Sequence, residues 1–443
     1  MSLDSARARR SNWNVLCLVV AIAITGTRAR ANGAFPDELS VHFPPNAPQR
    51  IFLGANFGLL VTEDGGGTWR YSCEPYVTTG SSAALSAANV SFYQVTKDGA
   101  ILADSVEVTR SEDVGCTWPA SGGFAAGSII ADVFPDPNDA TFVLAIVDTF
   151  ESSFIVASHD GGRTFDAAKL YTTPDLLKGI EISRSAPGVV YATKITASGT
   201  NPMLLKSSDR GAHWTEMALT APALTTPRIL AIDPEDANTV YLRLYTGTTD
   251  SIVITTDGGQ TFQTALTVQG AFTSFLRASD RALYAGMFEG NLYVRPPGAT
   301  RFTSRPGPRL RCLGQRSGTS RIYACGDMFL DGFSLGTSDD GALTFQPLMK
   351  FTEIKGLLAC APVQTACAAH WERIQQVLGI GLPADAGTQV PDGGAPSTGS
   401  GSPSHCASVG AGPLALLVLF ALNRARNWRI FPPTRKARRF RCS

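Results

Sequence analysis

One short pattern constrains this 443-residue chain more than any other property. The octapeptide TEDGGGTW at 62–69 returns as SEDVGCTW at 111–118, SHDGGRTF at 158–165 and SSDRGAHW at 207–214. It returns again as TTDGGQTF at 255–262 and SDDGALTF at 338–345. Successive copies begin 49, 47, 49, 48 and then 83 residues apart. The long last interval contains RPPGATRF at 295–302, which keeps a turn and a closing aromatic without the Asp. With it the last steps become 40 and 43 and the chain has seven units. Repeats of this period stack or ring copies of one small unit that cannot bury its apolar face alone.

The text upstream of each octapeptide also repeats. LAIDPEDANTVYLRLYTG (230–247) is an apolar strand, a Pro/Asp/Asn turn and an alternating strand. ADVFPDPNDATFVLAIV (131–147), LSVHFPPNAPQRIFLGA (39–55) and ISRSAPGVVYATK (182–194) share that layout. A further strand such as SFIVASHD or SIVITTD leads into each octapeptide. With 43 Gly, 27 Pro and only 17% charged residues, the chain reads as many short strands joined by turns. The fold class is therefore all-β, a β-propeller of seven blades, each reading strand, Pro turn, strand, turn, strand, octapeptide, outer strand. An eighth blade stays open. GLLACAPVQTACAAHWERIQQVLGI (356–380) looks like strand, Pro turn, strand, strand, and either contributes to one or packs beside the first blade as a clasp.

The octapeptide has a physical logic. Its Asp can accept N–H bonds within its own turn, the first hydroxyl joins that network, and the Gly two residues on supplies a backbone angle that other residues resist. The closing aromatic anchors the turn by packing inward. The residues so placed are Asp64, Gly66 and Trp69; Asp113, Gly115 and Trp118; Asp160, Gly162 and Phe165. The same roles fall to Asp209, Gly211 and Trp214; Asp257, Gly259 and Phe262; and Asp340 and Phe345. The pattern resembles the Asp-box, or BNR, repeat S/T-x-D-x-G-x-T-W/F, with His213 for Thr in the fourth copy and Ala342 for Gly in the last. The resemblance spans about residues 36–380 and implies a propeller of the kind found in sialidases, xyloglucanases, sortilin-type receptors and photosystem II assembly factors. Functions across those families differ, so it implies architecture without a specific activity.

The ends of the chain read as addresses. Arg7, Arg9 and Arg10 precede the apolar VLCLVVAIAI (15–24), and ARA (29–31) fits cleavage after Ala31, so residues 1–31 are expected to be a signal peptide. The propeller would occupy 32–380 and a Pro/Gly/Ser linker 381–405. Residues 406–443 hold Cys406, the short apolar run VGAGPLALLVLFAL (409–422) and a basic tail. This linker, cysteine, apolar run and arginines resemble the surface-sorting tails of myxobacterial proteins. The resemblance implies export to the outer membrane or surface of a Gram-negative cell, a membrane link through the C-terminal segment and Cys406 as the lipidation candidate. A plain tail anchor is the alternative. Between the basic ends, residues 32–405 carry 25 basic and 36 acidic side chains, a net charge of −11 that disfavours nucleic acid as a partner.

Six cysteines fall in the propeller. Cys312 and Cys325 flank a strand turn, Cys360 and Cys367 have similar spacing, and Cys73 with Cys116 would complete three disulfides in an exported protein. No cofactor loop, HExxH or zinc-spaced Cys/His cluster is present, so neither cofactor nor metal is expected. Free acids outside the octapeptides include Asp132, Asp148, Glu151, Asp175, Glu181, Asp250, Glu289, Asp327 and Asp331. Spacing alone pairs no two of them across a sugar. Tyr76, Phe92, Tyr93, Tyr245, Phe272 and Phe288 are aromatics able to line a binding face or pack between blades. The function expected is a non-catalytic, monomeric binding module for a glycan or protein ligand. The alternatives are a secreted glycoside hydrolase and an envelope assembly factor.

Overall fold

A computed structural model describes residues 38–381, apart from 79–91, 105–106, 125–127 and 150. The signal peptide with Ala31, nearly all of the linker, and Cys406 with the tail lie outside the described residues. Seven antiparallel sheets follow one another along the chain, each built from consecutive strands with neighbours in sequence order. The first sheet runs from Glu38–His42 to Arg70–Cys73 and the last from Cys312–Gln315 to Gln346–Met349. The first strands of successive sheets lie side by side, and Glu38–His42 also packs against Cys312–Gln315, so the ring closes. The molecule is a seven-bladed β-propeller, and no eighth sheet forms among the described residues.

Strand alternation explains the packing. Within Val143–Asp148, Val190–Ile195 and Leu283–Met287 nearly every residue is buried, because both faces of a middle strand meet adjacent blades. The second blade departs from the others, having three strands, Phe92–Val95, Ile101–Asp104 and Val108–Ser111. Its fourth position is reduced to one bridge, Thr109 to Ala120.

Among the described residues, ring closure uses no exchanged strand. After the last blade the chain pairs with the outermost strand of the first: Tyr71 N–H donates to Gly356 O and Leu358 N–H to Tyr71 O, both 2.9 Å. The segment expected as strands then forms two helices, Ala361–Ala366 and Ala368–Leu378. Pro362 sits in the first turn of the first helix, where a missing N–H costs nothing, so it starts a helix instead of marking a strand turn.

That helix also corrects two disulfides. Cys360 and Cys367 sit at its opposite ends, and seven residues of helical rise hold them about 10 Å apart, beyond bridging distance. They pair elsewhere: Cys73 with Cys367 and Cys116 with Cys360, at Cα separations of 5.5 and 6.0 Å. Cys73 and Cys116 are therefore not partners of each other; each ties the closing segment to one of the first two blades. Cys312 and Cys325 are bridged, as directly opposed residues on adjacent strands. The two long bridges close 294 and 244 residues. Each taken alone would contribute about 5 kcal/mol in the chain-entropy model, and less together because the loops overlap.

Candidate functional site

Antiparallel order sorts the connections onto two faces. The turns between first and second strands and the octapeptides between third and fourth strands share one end of every blade, called here the turn face. The remaining connections, including those leading into each new blade, share the opposite loop face.

The turn face is closed by local chemistry. In six copies the first hydroxyl donates to the Asp carboxylate at 2.7–2.9 Å and accepts the N–H four residues on at 2.8–3.0 Å. The same Asp oxygen accepts the N–H of the seventh residue. These donors hold the carboxyls of Asp64, Asp160 and Asp209 down to about 2, and those of Asp113, Asp257 and Asp340 below their usual value. His213, the departure in the fourth copy, brings Nδ1 to 2.6 Å from Asp209 and takes over the contact that Thr hydroxyls make elsewhere. Ala342, the other departure, has φ of 62°, within the left-handed region open to side chains, whereas Gly66 stands at 112°. Trp69, Trp118 and Phe165 are buried, and the indoles of Trp69, Trp118 and Trp214 donate to the carbonyl of the fifth residue.

Ion pairs then join turn to turn between blades. Arg277 grips Asp233 at 2.8 and 3.0 Å and also reaches Glu235. Arg210 contacts Asp136 and Asp139, while Arg316 donates to the carbonyl of Arg50 across the closure.

The loop face has a different surface. Phe92, Ile129, Leu176 and Leu224 are 61, 56, 37 and 68% exposed. The first three begin the innermost strands of blades two, three and four, and Leu224 stands two residues before that of blade five. Phe329 and Leu330, in a connection of blade seven, share this face and are also exposed. Four consecutive blades thus present an apolar arc around the ring axis.

Beneath the arc stand acids. Asp132 accepts the N–H of Ile180 and Glu181 that of Ile232, each linking an innermost strand to the next blade. Burial pushes Asp132 up to about 6 and Glu181 to about 8, the latter with the Asp132 charge adding. Asp104, at the end of the second strand of blade two, is pushed to about 8 by burial and then by Asp132. Sequence reasoning singled out Asp132, Glu181 and Phe92, but missed Asp104, Ile129, Leu176 and Leu224. Their available signal was position: each stands at or near the loop-face end of a strand.

The other candidates are dispersed. Asp250 pairs with Arg243, Asp175 with Lys194, and Asp327 caps its own loop. Tyr93 and Phe272 are core residues, and Arg311 lies over Phe288. Tyr171 donates to Glu216 between two outermost strands, with Lys194 Nζ 3.0 Å from the phenol and 2.8 Å from the carboxylate. Burial, with Glu216 adding, raises the Tyr171 phenol, which opposes formation of a nucleophilic phenolate.

No family model and no curated protein matches the chain. Solved structures do. The Dos1 propeller superposes with a TM-score of 0.50 at 10% identity, covering 71% of this chain and 84% of its own. YCF48 from Cyanidioschyzon merolae gives 0.45 at 14% identity, with 65% of this chain and 92% of its own covered. The GH74 xyloglucanase from Xanthomonas campestris gives 0.37 at 13%, covering 70% and 78%. YCF48 has also been solved bound to D1 peptide. At these identities the likeness is one of fold, and the class the fold defines is the β-propeller.

Proposed function

We propose that this chain is an exported, non-catalytic Asp-box propeller that binds a protein segment on its loop face. The observation that carries this reading is the exposed arc of Phe92, Ile129, Leu176 and Leu224 across four consecutive blades. Aligned exposed apolar groups on a rigid ring mark a binding surface. Three of the four arc residues are aliphatic and offer apolar contact for peptide side chains, and Phe92 is its single ring for a sugar to stack on, so the arc favours protein over glycan. Trp69 and Trp118 are buried on the opposite side of each blade's turn and supply no such platform. Three disulfides accord with an oxidising compartment, and the signal-like start, linker and Cys406 segment with export and tethering.

The test is position-specific crosslinking of the full-length chain on intact cells. A photoreactive residue at 129 or 176 is expected to capture one discrete protein, whereas one at 260 on the turn face captures none. The purified partner should then bind directly, with affinity at least tenfold weaker for the Ile129→Ser/Leu176→Ser chain. Capture from position 260 alone, or direct binding unaffected by the substitutions, would sink the loop-face reading. Release of reducing ends from polysaccharides, abolished by Glu181→Gln, would replace it with the hydrolase alternative. The identity of a captured protein distinguishes a surface receptor from an envelope assembly factor.

A further inference from the structure

Asp104 closes the strand Ile101–Asp104 and lies directly across from Phe92. Opposed residues project from the same side of a sheet. Blade three packs its innermost strand, with Asp132, against this pair of strands. Asp104 is only 8% exposed, yet among the described residues its Oδ1 has no hydrogen-bond partner. An orphaned carboxylate oxygen in such a place is costly, and a ligand that supplies a donor removes the cost. The charged groups around it are mostly of the wrong sign. Asp132 acts on both Asp104 and Glu181, while the guanidinium of Arg228 acts on Asp132.

Building on the loop-face reading, we propose that a lysine or arginine side chain of the bound segment seats its cationic head on Asp104, between blades two and three. Phe92, exposed beside it, offers a ring face to the cation and apolar cover to its aliphatic stem. A metal ion is a poorer fit, because among the described residues no group of three or more His, Cys, Asp or Glu side chains is arranged to hold one. An ammonium or guanidinium brings its own donors and needs only one or two carboxylate oxygens. The ligand class is thereby narrowed to a protein segment with a basic residue among apolar ones.

The test needs no natural partner. n-Hexylammonium and 1-hexanol share an alkyl chain and differ in charge, and each is titrated into the full-length chain at pH 7.5 with ligand-observed NMR. The amine is expected to bind at least tenfold more tightly than the alcohol. In Asp104→Asn that preference should vanish while hexanol binding is unchanged. In the unsubstituted chain, saturating amine should lower the Asp104 carboxyl midpoint from about 8 to below about 7, read by carbon-13 shifts. Equal binding of amine and alcohol overturns the proposal. So does a preference that survives Asp104→Asn with the Asp104 midpoint unmoved. Failure here leaves the crosslinking outcome intact, and failure of crosslinking leaves this result intact, so the two readings fall separately.

Discussion

At the turn end of blade three, Asp160 accepts hydrogen bonds from Ser158, Arg163 and Thr164, with both the N–H and the hydroxyl of Thr164 taking part. At the loop end of blade two, Asp104 has one oxygen with no partner among the described residues. Both are aspartates at or just beyond the end of a blade strand, yet the first is held down to about 2 and the second pushed up to about 8. The difference is who supplies the donors. Asp160 finds them within four residues of itself, whereas Asp104 is left with buried surroundings and an acidic neighbour. A face that satisfies its own polar groups is suited to holding blades together. One that leaves apolar side chains and a carboxylate unsatisfied is suited to meeting something else.

The largest effect that would sharpen this contrast is expected at Arg277. Its side chain is 3% exposed and pairs with a carboxylate, Asp233, that is 9% exposed. Arg277→Ala leaves that carboxylate without its cation and should lower unfolding free energy by about 3 kcal/mol in denaturant titration. Hexylammonium binding at the loop face should be unchanged. A loss below about 0.5 kcal/mol would mean that the turn-face ion pairs do not hold the blades.

The second effect is on pH dependence, and the turn-face octapeptide carboxyls and the buried Asp104 and Glu181 carry opposite signs. Turn-face carboxyls have lowered folded values, so their stabilisation is present above the unfolded value near 3.8 and disappears as pH falls toward about 2. His42, lowered to about 4 by burial, adds to that acid loss from pH 6.5 downward. Asp104 and Glu181 are raised, so their contribution is full below the unfolded value near 4 and is lost as pH rises through about 8. Stability measured from pH 4.5 to 8.5 should therefore decline more steeply in the parent chain than in Asp104→Asn. Parallel profiles would show that Asp104 is charged and compensated in the folded protein.

The smallest stability effect is expected on the arc. Ile129→Ser and Leu176→Ser remove side chains that are already 56 and 37% exposed, and each should change unfolding free energy by less than about 0.5 kcal/mol. A loss of about 2 kcal/mol at either would mean that these residues are structural, and would break the contrast between the faces.

The turns were legible because the Ser158 hydroxyl, Asp160 and the Thr164 N–H lie within one octapeptide, so the chemistry could be read without knowing the fold. The Cys312–Cys325 bridge was legible for a similar reason, its partners being 13 residues apart on adjacent strands. Cys73 and Cys116 were not, because their partners lie 294 and 244 residues away on a helix that Pro362 disguises as a turn. Asp104 at the end of ILAD reads as an ordinary strand terminus; its isolation exists only once blade three packs against it.

By itself, then, the sequence determined the repeating unit, its turn chemistry and the all-β class, because each depends on residues within about fifty positions of one another. Tertiary structure decided that the ring has seven blades, that a helical clasp staples its first two blades, and that four apolar residues and an aspartate with one oxygen unpartnered among the described residues share one face. Those features depend on which blades become neighbours, and packing alone makes that choice.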